Sequence, residues 1–198
     1  MEQGLEIARD QTPLAVPMAM VSKAEILFLA GRPEEAGSVI DQAELGRLPG
    51  PVRGAAGAHV DILRGQLAEA SGDHEGAIEI ADAVIAWLHQ NELGQFLPAA
   101  LLLRARASIA SGRPGEADPP LREARSRALD MGYRRLLWEI DWELSRLEHD
   151  PEEGAALGAE AASTIAAIAE SIDEDDLRES FLGTRGVRAV LEAGATSG

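Results

Sequence analysis

A glycine followed five residues later by an alanine recurs three times at a spacing near forty residues, and this constrains the fold more than any other feature. The segments are GRPEEA (Gly31 to Ala36), GDHEGA (Gly72 to Ala77) and GRPGEA (Gly112 to Ala117). The glycines stand 41 and then 40 residues apart. Seven residues beyond each alanine is another small apolar residue (Ala43, Val84, Ala124), and seven before each glycine is Ala24, Gly65 or Ala105. Self-similarity at a period of 20–50 residues marks a repeat architecture in which each unit buries a face that it cannot cover alone.

Glycine accepts the left-handed backbone that ends a helix, and Pro33 or Pro114, two residues on, suits the first turn of the next. Each glycine therefore marks the bend of a helix–turn–helix. The small residues on either side belong where the two helices cross, because bulky side chains there would force the axes apart. Helical periodicity flanks each bend: Met20, Ala24, Leu27 and Phe28; Val60, Leu63, Leu67 and Ala70; Leu101, Ala105 and Ile109; and then Leu137, Ile140, Leu144 and Leu147. The last set leads to a degenerate fourth bend at His149–Asp150–Pro151, where histidine replaces the glycine and Gly154 replaces the alanine. A long alanine-rich helix over Ala155–Ile172 follows. Asp173 is expected to cap a helix whose Leu177 and Phe181 face inward, and a short helix with Val187, Val190 and Leu191 comes after Gly183.

These residues predict an all-α, right-handed solenoid of antiparallel helical hairpins in a single domain, 1–193. Repeats of roughly 40 residues are expected at about 13–50, 51–93, 95–130 and 133–172, with a capping helix pair at 173–193 and a disordered tail at 194–198.

Composition narrows the class. Cysteine is absent, which removes disulfides and thiolate metal sites. The start MEQGLEIARD has no basic stretch followed by an apolar run, so the chain reads as soluble, non-exported and cytoplasmic, with no membrane partner. The formal net charge of −16 repels phosphate backbones and argues against a nucleic-acid partner. Half of it lies in residues 149–198, where a terminal repeat needs a polar outer side. Lysine occurs once, at Lys23, among 18 basic residues, a bias typical of GC-rich bacterial genomes.

No pattern announces catalysis. His59, His74, His89 and His149 lack ligand spacing, Asp173–Asp176 lacks the alternating donors and glycine of a calcium loop, and neither a phosphate loop nor a GxSxG elbow occurs. The expectation is a non-enzyme without cofactor or metal. Trp138 and Trp142 read as packing residues, and Arg122, Arg125, Arg127, Arg134 and Arg135 as a solvated helix face.

The set Ala24/Gly31/Ala36/Ala43, with its counterparts Gly65/Gly72/Ala77/Val84 and Ala105/Gly112/Ala117/Ala124, resembles the tetratricopeptide repeat over residues 13–170. It departs in its longer period, in Lys23, Arg64 and Arg104 where leucine is usual, and in lacking the large aromatic near the start of each repeat. The longer period is similar to helical repeats of maltose-type transcriptional activators and ATPase-linked nucleotide cyclases. The tail IAESIDEDDLRESFLGTRGVRAVL resembles the closing segment of such proteins, and the opening GLEIARDQTPLAVPMAM resembles the middle of a repeat, as in a piece of a longer regulator. The resemblance implies a protein-interaction scaffold, with a sensor domain governing an attached output domain as the alternative. The partner is another protein or upstream domains of the same one. A polar row at equivalent first-helix positions, Glu25, Gln66 and Arg106, is the expected partner groove, and an open N-terminal face near Leu14, Val16 and Met18 is available to another copy.

Overall fold

In the computed structural model, which describes residues 15–43 and 50–196, ten α-helices and two single turns of 3-10 helix account for the secondary structure, and no strand occurs among the described residues. The contacts sort into two compact units, the first ending at Phe96 and the second beginning at Leu97.

The first unit holds two hairpins, α1 (Ala15–Leu29) with α2 (Pro33–Asp41) and α3 (Gly50–Ala70) with α4 (His74–Gln90). Both bends close in the same way. Gly31 (φ 73°) and Gly72 (φ 87°) are left-handed. The Gly31 N–H donates to Phe28 O and the Arg32 N–H to Leu27 O; at the second bend Gly72 N–H donates to Glu69 O and Asp73 N–H to Ala68 O, all within 3.0 Å. This pair of bonds satisfies the last carbonyls of the ending helix, and its geometry requires the glycine. Ala24, Ala36 and Ala77 are fully buried at the crossings, as the recurring small residues require. Val21, Ala24 and Leu27 of α1 meet Ala36 and Ile40 of α2 and Val60 and Leu63 of α3 in one core, which stacks the second hairpin on the first.

The second unit repeats the design with α5 (Leu97–Ala110) and α6 (Asp118–Met131), then α7 (Arg134–Leu147) and α8 (Pro151–Glu170). Gly112 (φ 80°) and Gly132 (φ 66°) close their bends as above. α5 is apolar on nearly every side and is buried accordingly, from Leu97 through Ala107. The bend from α7 to α8 works differently. The Glu148 carboxylate accepts the N–H groups of His149 and Asp150, and the Asp150 carboxylate accepts that of Glu152 at 2.8 Å, so this turn is ordered by carboxylates that take the free N–H groups leading into α8. Gly154 sits at a close approach, where a Cβ would stand 3.2 Å from Ser145 O.

The C-terminal helices correct three expectations. The N-cap position of α9 (Asp175–Leu182) is Glu174 and not Asp173, and its side chain makes no capping hydrogen bond. Its Leu177 is 56% exposed and does not face inward, because a helix of eight residues turns too little of its surface to the core. In α10 (Arg185–Thr196) Val187 and Val190 are buried against Trp138, Ala161 and Ile165, while Leu191 lies at the margin. The alanines near its end carry that helix through 194–196, part of the stretch expected to be disordered.

Candidate functional site

Polar side chains between the helices of the second unit are largely committed to one another. Arg106 of α5 donates to Glu139 (2.8 Å) and Glu143 (3.0 Å) of α7. Arg122 of α6 joins Asp118, Glu148 and Glu153. Arg125 of α6 donates to Asp141 Oδ1 of α7 at 2.6 Å and also contacts Glu160 of α8. Asp141 is 1% exposed, and its Oδ2 has no hydrogen-bond partner. Burial raises this carboxyl above the usual carboxylate range; Arg125 opposes the shift and Glu160 adds to it. Glu148 shifts the other way, held low by the backbone N–H groups of Asp150 and His149. The arginine run expected to be a solvated face is thus, at Arg122 and Arg125, a set of inter-helix ties.

Each residue of the expected polar row has its own surroundings. Glu25 on α1 lies 3.5 Å from His59 Nε2 on α3, and the His59 ring faces Phe96 with centroids 6.0 Å apart. Gln66 is half-buried on α3. Arg106 is engaged by the two glutamates above. Val16 is half-buried and Met18 is 39% exposed, while Leu14 lies outside the described residues.

The feature that sequence reasoning missed is a groove of about 540 Å³ between α3 and α4. Gly57, Ala58 and Asp61 of α3 form one wall, and Ile80, Val84 and Trp87 of α4 the other. At its rim Arg64 stands 3.4 Å from Asp61 and 3.7 Å from Asp41, so one guanidinium serves two carboxylates over long contacts. A largely apolar lining with a few polar groups at one end is the usual make-up of a binding site, and its size is within the roughly 300–1,000 Å³ common for such sites. No nucleophile–base pair lines it. Among the described residues, no helix is long and apolar enough to cross a membrane.

A family model described as the tetratricopeptide repeat matches residues 17–42 and 98–126. Those segments are the hairpins α1–α2 and α5–α6, which flank the grooved hairpin in sequence. No curated protein and no solved structure matches the chain. Left-handed glycines at the same place in three bends, buried small residues at the crossings, and family matches to the first and third hairpins agree: the chain is a tetratricopeptide-like repeat protein.

Proposed function

We propose that this chain is a non-catalytic scaffold that binds another protein. Tetratricopeptide repeats generally mediate protein–protein interaction. The observation that carries the reading here is the α3–α4 groove of the first unit, a cavity lined mainly by apolar side chains with Asp61 and Arg64 at its rim. A pre-formed groove lowers the ordering cost of association.

The test is complex formation with purified components. Proteins captured by the full chain are purified, mixed back with it, and weighed by light scattering. A stoichiometric complex supports the scaffold. Failure of every captured protein to rebind, or turnover of a small molecule by the purified chain alone, overturns it.

A further inference from the structure

The groove owes its existence to three residues of α3. Stepping back 41 residues from Gly57, Ala58 and Asp61 gives Val16, Pro17 and Met20, and stepping forward 40 gives Leu97, Pro98 and Leu101. The first and third hairpins therefore carry large apolar side chains at positions where the second carries glycine, alanine and aspartate. Leu97 and Leu101 are buried, 2% and 4% exposed. Beside α3, where the corresponding positions hold no large apolar side chain, the groove is open.

Gly57 has no structural reason to be glycine. It sits inside a helix, and a Cβ there would meet nothing within 4 Å. A glycine in a helix interior costs about 1 kcal/mol relative to alanine. Its neighbour Gly54 is different, since a Cβ there would press on the Trp87 ring at 3.0 Å. Gly57 thus leaves open space on the wall of the groove, at a cost in helix stability.

The missing side chains define the shape of that ligand. They stand at i, i+1 and i+4 of a helix, the spacing of an apolar stripe on one helical face. The charge at the rim sets its sign. Asp61 and Asp41 share Arg64, which leaves one negative charge in excess, and residues 1–96 hold fifteen acidic against six basic side chains. Resting on the scaffold reading above, we infer that the α3–α4 groove receives the apolar face of a cationic amphipathic helix from a partner protein. The partner's aliphatic side chains take the places of Val16, Pro17, Met20 or Leu97, Pro98, Leu101 in the neighbouring hairpins, and a partner lysine or arginine pairs with Asp61.

The test uses the full chain and three labelled synthetic peptides followed by fluorescence anisotropy. One is a leucine–lysine peptide with a helical apolar stripe, one its leucine–glutamate counterpart, and one the leucine–lysine peptide scrambled to abolish the stripe. The striped cationic peptide is expected to bind saturably at one per chain, at least tenfold more tightly than either control. Gly57→Leu fills the groove without changing charge and is expected to weaken binding at least tenfold. Unaltered binding to Gly57→Leu at full thermal stability overturns the inference while leaving the scaffold reading standing on another surface. Equal binding of the scrambled peptide overturns it too, as charge attraction alone. An apolar dye that occupies the groove and is not displaced by the striped peptide assigns the site to a small molecule, with the same consequence.

Discussion

Arg125 Nε lies 2.6 Å from Asp141 Oδ1, joining α6 to α7 at a carboxylate that is 1% exposed. Breaking a buried ion pair strands the remaining charge, which costs roughly 3–5 kcal/mol when both partners are buried. Arg125 keeps 29% of its side chain exposed. Arg125→Ala is therefore expected to lower unfolding free energy at neutral pH by a smaller amount, about 2–3 kcal/mol. Urea denaturation measures it, and a loss below about 0.5 kcal/mol would place the pair among ordinary surface contacts.

Two carboxyls of the second unit should give pH dependences of opposite sign. Burial raises the Asp141 pKa in the folded state, so its stabilising contribution is present below the unfolded pKa and is lost as pH rises through the folded one. Glu148, lowered by the Asp150 and His149 N–H groups, contributes above its unfolded pKa and loses that contribution as pH falls through the folded value. The stability difference between wild type and Asp141→Asn should shrink as pH climbs above the usual carboxylate range. That between wild type and Glu148→Gln should shrink as pH drops below it. Parallel profiles for the two pairs would refute the assignment.

Glycine to alanine should have opposite effects at two sites. At Gly72, with φ of 87°, the change forces a side chain into left-handed backbone and should cost about 1–2 kcal/mol. At Gly57, inside α3 and facing open space, it should add up to about 1 kcal/mol. Melting temperatures of the two variants, moving apart from wild type in opposite directions, are the check.

Arg106→Ala leaves Glu139 and Glu143, 20% and 10% exposed, without the guanidinium between them. A destabilisation of about 1–2 kcal/mol is expected, between exposed and buried pairs. Arg106→Lys should recover little of it, since an ammonium cannot fork across two carboxylates as guanidinium does. Full recovery by lysine would show that charge alone matters there.

Trp138 is 8% exposed, and Val187 and Val190 of α10 pack against it. Trp138→Ala should cost about 3–5 kcal/mol. The released helix should then be cut by trypsin at Arg185 and Arg188 faster than in the wild type. Unchanged cleavage rates would show that α10 holds without the indole.

How much of this was legible in the sequence depended on whether a constraint acts locally. The bends at Gly31, Gly72 and Gly112 were legible because a left-handed φ is met by glycine at one known offset, and Ala24, Ala36 and Ala105 because close crossing excludes larger side chains. The ties from Arg106 and Arg125 were not. Their partners lie 16 to 37 residues away at non-repeating positions, and in isolation Asp141 and Glu143 look like any surface acid. Leu177 was misread because apolar spacing reports a face without saying whether a neighbour reaches it. The groove escaped notice because it is made of what Gly57, Ala58 and Asp61 lack. A signal existed, in the contrast with Val16/Pro17/Met20 and Leu97/Pro98/Leu101, and it emerges once repeats are compared for side-chain volume as well as identity.

A repeating fold shares a problem with any growing polymer: each added unit presents the surface that invites the next. In the second unit α10 covers such a surface, laying Val187 and Val190 over Trp138, Ala161 and Ile165. Lifting it would uncover that apolar surface, free to take up a hairpin from another copy. Whether that surface is presented therefore rests on the twelve residues Arg185–Thr196, whatever the −16 charge of the whole chain.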